Sequence, residues 1–136
     1  MRGTMGAEKI PQTALRDPFV LEPDEVAHET LVRRLQPHSG DVLIRKHRFD
    51  VFSNPNTTTL LEAWDPTEVV LYGVATDFCV RYAIEGMLEV GIPTIYLVLD
   101  ATKPIVEASV APLVDAWKEQ DVRIVTTDDV VCGRVV

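Results

Sequence analysis

The chain reads as an α/β protein built on a parallel sheet, and three observations carry that expectation. Apolar runs of strand length alternate with amphipathic segments from residue 41 to residue 127. The runs at 67–72 and 93–99 are apolar almost throughout, as in strands covered on both faces. Between them Val80, Ala83, Ile84, Met87 and Leu88 recur at the spacing of one helical face, with Arg81, Glu85 and Glu89 pointing away. Such alternation implies right-handed crossovers and helices on both faces of the sheet, a three-layer αβα arrangement.

Taken in order, residues 1–20 are irregular, because Gly3, Gly6, Pro11 and Pro18 break any period. Pro23 suits the first position of a helix, and Asp24 and Glu25 complement its dipole. Val26, Ala27, Thr30, Leu31 and Leu35 then give an apolar face, so a helix is expected over 23–35, ended by Pro37 to Gly40. The run at 41–46 is a short strand finishing on Lys46, which leaves a cation at the carboxyl end, where open α/β sheets form their crevice. Ser53-Asn54-Pro55-Asn56 is a loop by composition, and 57–64 a short helix with Leu60, Leu61 and Trp64 inward. Asp65-Pro66 stops it, and the strand at 67–72 follows. Thr76 or Asp77 can cap the next helix and Gly91 can end it. The strand at 93–99 carries Asp100-Ala101-Thr102 at its carboxyl end. Pro104 opens a helix whose stripe is Val106, Val110, Leu113, Val114 and Trp117, and 122–127 is the last strand. Cys132, in the tail, is structural or incidental.

A length of 136 residues fits one domain, 1–136, large enough for a real core. A formal net charge of −8 with no basic stripe argues against nucleic acid and anionic membranes as partners. No run of eighteen apolar residues and no signal-peptide pattern is seen, so the default expectation is cytoplasmic. Cys79 and Cys132 form no CxxC, so neither a disulfide framework nor a zinc site is suggested. His28, His38 and His47 lack ligand spacing, and no metal is expected on this chain. If the strand at 41–46 continues, His47 points to the face opposite Lys46.

The chemistry centres on residues 71–80, LYGVATDFCV, in which an apolar run closes on Gly73 and passes through a tight turn into a helix. A helix start has unpaired N–H groups and a partial positive charge, which favour a thiolate and can hold an oxyanion. Cys79 in such a first turn fits covalent acyl transfer; the alternative is a buried structural cysteine, since free cysteine is among the most buried residue types.

Gly73-Val74-Ala75-Thr76-Asp77-Phe78-Cys79-Val80 resembles the GVxTDxCV signature of the isochorismatase-like cysteine hydrolases, whose amidase branch includes the nicotinamidases. Arg45-Lys46-His47-Arg48-Phe49-Asp50-Val51-Phe52 is similar to the family's lysine segment, and Arg2-Gly3-Thr4-Met5-Gly6-Ala7-Glu8 to its GTxGA stretch. The resemblance implies a Rossmann-like αβα fold with Cys79 as nucleophile and Lys46 in a Cys-Lys-Asp triad. It implies a cis peptide between Val74 and Ala75, with the backbone N–H groups of Ala75 and Cys79 as the oxyanion hole. Phe49, Phe52 and Phe78 are candidates to line an apolar pocket or to serve as core.

The family sheet has strand order 3-2-1-4-5-6, its first strand ends in the catalytic aspartate, and nicotinamidase metal ligands lie upstream of the GTxGA stretch. On that mapping the strands at 41–46, 67–72, 93–99 and 122–127 are the third to sixth. The chain then covers the C-terminal two-thirds of an N-terminally incomplete fold, with a gap between 41–46 and 67–72, and any metal's ligands lie upstream. Asp17, Asp50 and Asp100 are the substitute bases to consider, Asp100 first because it ends a strand, although no motif places any of them there and such a carboxylate is more often a helix cap or loop anchor. The resulting expectation is a thioester-forming hydrolase of small-molecule amides, nicotinamidase-like in its GTxGA stretch and a homo-oligomer. The rival is an inactive homologue serving as a structural or oligomeric subunit.

Overall fold

The structure, a computed structural model, describes residues 11–135. The GTxGA-like stretch, residues 2–8, lies outside them. Every strand pairing observed is parallel, and the strands form two sheets. In the first, β1 (Phe19–Leu21) pairs with β2 (Val42–Ile44), and α1 (His28–Leu35) crosses between them. In the second, β3 (Glu68–Val74), β4 (Thr94–Lys103) and β5 (Arg123–Val125) lie in the order β3-β4-β5. The crossovers there are α3 (Arg81–Glu89) and α4 (Val110–Glu119). Two further helices are α2 (Thr57–Trp64), ahead of β3, and α5 (Thr127–Val131), after β5. The break between sheets falls between β2 and β3, the place where the family mapping leaves its gap.

Each sheet has its own core. Val80 and Ile84 pack with Ile95 and Leu97 of β4 and with Val114 and Trp117 of α4. Leu21, Leu31, Leu35 and Leu60 join α1 and α2 to the smaller sheet. The central strand is buried on both faces, as its composition requires: Ile95, Tyr96, Leu97 and Val98 are all shielded. β3 departs from that expectation. It has β4 as its partner along one edge, Leu71 turns toward the core, and Tyr72 and Val74 are 69% and 70% exposed. Among the described residues no helix is long and apolar enough to cross a membrane.

Several boundaries differ from the sequence expectation, and hydrogen bonds account for most of the differences. β1 begins within the stretch read as irregular, 1–20, and runs one residue past it; it is only three residues long and sits between Pro18 and Pro23. The first helix begins at His28, not at Pro23. The Asn56 side chain holds the preceding segment open, accepting from Val26 N–H and donating to the carbonyls of Glu22 and Asp24. β4 continues to Lys103, and α4 starts at Val110 rather than after Pro104. There the Asp77 carboxylate takes the N–H groups of Ile105 and Val106 in extended chain, which leaves Val106 half exposed instead of on the helical stripe. At the C-terminus, Thr126 ends the strand by becoming a helix cap. Its hydroxyl accepts from Asp129 N–H while the Asp129 carboxylate accepts from Thr126 N–H, a reciprocal capping box that starts α5. Trp64 is 43% exposed rather than inward.

Candidate active site

Two segments meet at the carboxyl ends of β2 and β3 and border an open cleft of about 740 Å³. The first is the loop after β2. Ile44 ends the strand, and Asp50 closes the loop by accepting from Phe52 N–H at 2.8 Å, capping a 3-10 turn at Val51–Ser53. Within it Lys46 Nζ donates to the Phe49 carbonyl. Because the strand stops before residue 47, the alternation that would send His47 to the opposite face does not apply. His47 lines the same cavity as Lys46, and so do Arg48, Phe49 and Asp50.

The second segment is the turn between β3 and α3. Gly73 adopts φ +127°, which a side chain would resist, where the register against β4 shifts, and the Val74–Ala75 peptide is cis. Thr76–Val80 then forms a single π-helical turn, a motif that concentrates at functional sites. Its N–H groups at Phe78 and Val80 both donate to the Ala75 carbonyl. Neither Thr76 nor Asp77 caps α3 as the sequence suggests. The Thr76 hydroxyl, fully buried, donates to Thr102 Oγ1 at 2.9 Å. Asp77 reaches across to the loop before α4, accepting from Ile105 N–H, Val106 N–H and the Ser109 hydroxyl. Burial disfavours its charge, but those hydrogen bonds outweigh the penalty and hold its carboxyl below the usual 3.8. This anchoring braces the turn that presents Cys79, a free, half-buried thiol on the cavity wall.

The aromatic candidates divide. Phe49 lines the cavity and meets Phe78 edge-to-face, ring centres 5.3 Å apart, which links the two segments. Phe52 instead packs against Gly86 of α3. Tyr82, not foreseen, also lines the cavity. Its place three residues after Cys79 on a helical face is the signal that could have found it.

Of the carboxylates considered as bases, Asp50 lines the cavity. Asp100, the first of the three from its place at a strand end, has the anchoring role weighed against it: it accepts from the backbone and hydroxyl of Thr127 and so secures α5. Asp17 borders a different depression, beside Gly40. Among the described residues no group of three or more His, Cys, Asp or Glu is arranged to hold a metal.

A parallel α/β scaffold with this cysteine turn defines a class. The chain belongs to the isochorismatase domain family, whose model matches residues 7–110. It is similar to ureidoacrylate amidohydrolase RutB of Agrobacterium fabrum, 37% identical over 54 residues, 40% of this chain and 24% of that protein. Among solved structures, an isochorismatase-like hydrolase from Alkaliphilus metalliredigens superposes with a TM-score of 0.59 at 21% identity, over 71% of this chain and 52% of that one. Pyrazinamidase of Pyrococcus horikoshii, solved in complex with zinc, gives 0.53 at 26% identity, over 63% of this chain and 48% of that one. The chain thus spans about half the length of the structures it matches, and its similarity to the curated relative spans about a quarter of that protein.

Proposed function

We propose that the protein is a cysteine hydrolase of small-molecule amides, with Cys79 as nucleophile. The observation that supports this reading most is the meeting of Cys79 and Lys46 on one cavity wall, from segments more than thirty residues apart. In the proposed reaction Cys79 Sγ bonds to the amide carbonyl carbon. The backbone N–H groups of Ala75 and Cys79 would stabilise the oxyanion that forms. Collapse breaks the C–N bond, and ammonia or an amine leaves carrying a proton. Water then attacks the thioester, releasing the carboxylic acid and restoring the thiol. Lys46 steadies the developing negative charge, held in place by its bond to the Phe49 carbonyl. The thiol's proton passes to a carboxylate, and Asp50 on this cavity wall is the candidate for it. Nicotinamide-type amides and ureido acids are the two substrate sets to try, the first suggested by the GTxGA-like stretch, the second by the RutB similarity. Two free cysteines fit a reducing, cytoplasmic setting.

Replacement of Cys79 by alanine is expected to abolish amide hydrolysis, a loss of at least about a thousandfold in kcat, on the scale of removing a nucleophile from a covalent catalyst. Comparing acid release by the two proteins is the test, and retained turnover would overturn the assignment.

A second reading, an inactive subunit that works by assembly, draws on the exposed edge of β3 with its apolar Tyr72 and Val74. Homo-oligomerisation through that edge is compatible with either reading.

A further inference from the structure

Four cationic or titratable residues stand in succession from Arg45 to Arg48, in a chain whose net charge is −8. The structure gives them different duties. Arg45 pairs with Glu22 outside the cavity, Nη1 to Oε1 at 2.5 Å. Lys46 donates to the Phe49 carbonyl. His47 and Arg48 line the cavity beside Cys79, and no hydrogen bond or ion pair is formed by either side chain among the described residues. The carboxylate on the same wall, Asp50, accepts from Phe52 N–H through Oδ1 and, among the described residues, forms no ion pair with Arg48. An acidic protein thus presents a guanidinium with no partner among the described residues, and an imidazole, to the space where its thiol opens.

We propose that this wall is a carboxylate-recognition site, with Arg48 as the main contact and His47 as its neighbour, so that the preferred substrates are small amides bearing a separate carboxylate. A guanidinium offers two parallel N–H donors that match a carboxylate, and it holds its charge at any working pH. An anion would bind there without displacing an existing partner of Arg48. Phe49 and Tyr82 supply apolar surface for the carbon chain between the carboxylate and the amide. That the bound anion is a substrate rests on the hydrolase reading; the anion preference rests on the cavity alone.

The test therefore separates the two. The wild-type protein is alkylated with iodoacetate and, separately, with iodoacetamide, and modification of each cysteine is followed by peptide mass. The two reagents differ chiefly in charge, and Cys132 provides an internal reference because its Sγ lies 3.6 Å from an Asp128 carboxylate oxygen. The ratio of iodoacetate to iodoacetamide rates is expected to be about tenfold higher at Cys79 than at Cys132, consistent with one charge-assisted contact, and to shrink at high salt. Arg48→Gln should remove most of that excess, Arg48→Lys should restore part of it, and His47→Gln should have a smaller effect. Equal ratios at the two cysteines, or an excess that survives Arg48→Gln, would overturn the proposal. Turnover of succinamate and butyramide is then compared. A higher kcat/KM for succinamate, lost in Arg48→Gln mainly through KM, is the expected result, and equal kcat/KM values contradict the preference. Failure to hydrolyse either amide counts against the hydrolase reading, while the alkylation ratio still decides the anion site.

Discussion

Asp77 illustrates how much of this site is positioned by residues that never touch its cavity. The motif reading places it at a helix cap, and its acidity suits that role. What the sequence could not show was its partner, because Ile105, Val106 and Ser109 lie 28 to 32 residues away. The consequence is a pH dependence with a definite sign. Its native carboxyl titrates below the unfolded value of 3.8, so the contacts contribute fully above that value and are lost as pH falls through the native one. Asp129, drawn down to about 2 by Thr126 and then by Arg134, acts in the same direction at the other end of the chain. Urea midpoints measured at pH 7, 5 and 3 should therefore fall at the acid end. Asp77→Asn should be less stable than wild type at pH 7 and should show a shallower decline, with the remainder coming from Asp129. A decline as steep as that of wild type would refute the role given to Asp77.

At the scale of elements, the regular parts were legible where one face meets one core. The α3 stripe of Ala83, Ile84, Met87 and Leu88 packs as its spacing requires, and α2 occupies 57–64 as expected. One part that was not legible is held by buried asparagines. The segment Ser53-Asn54-Pro55-Asn56 looks like an ordinary loop, yet Asn54 is 1% exposed and donates to the carbonyls of Leu21, Glu22 and Arg45. That network fixes the end of β2 and so the loop bearing Lys46. A related constraint ties the loop to α3. An ideal Cβ on Gly86 would sit 2.2 Å from the Phe52 ring. Glycine to alanine in a helix ordinarily gains about 1 kcal/mol, but overpacking costs about 1–3 kcal/mol, so the clash should win. Gly86→Ala is expected to lower the melting temperature and Phe52→Leu to recover part of the loss, both read by thermal denaturation. A rise in the single variant would show that Phe52 is not lodged there.

For the whole molecule, the alternation of apolar runs with amphipathic helices gave the parallel α/β class, while the break between the two sheets was foreseen only by the family mapping, which leaves its gap between 41–46 and 67–72. Strand runs declare themselves by composition; which of them pair depends on edges that no single run encodes. β3 reads as a strand covered on both sides because its residues are apolar, yet among the described residues one of its edges has no partner strand. An open apolar edge invites pairing, so sedimentation analysis should show self-association that rises with concentration and weakens in Tyr72→Lys, which puts a charge on that strand. A strictly monomeric wild-type chain at every concentration would contradict this. The cavity stands at the carboxyl ends of β2 and β3, one strand from each sheet, and the proposed chemistry turns on Cys79 in its wall. The most direct measurement is the mass of the protein quenched in acid during reaction with succinamate. An adduct equal to the acyl group is expected on the peptide containing Cys79, with acid product accumulating over time, and neither is expected in Cys79→Ala. Acid product formed equally well by Cys79→Ala would contradict the nucleophile assignment outright.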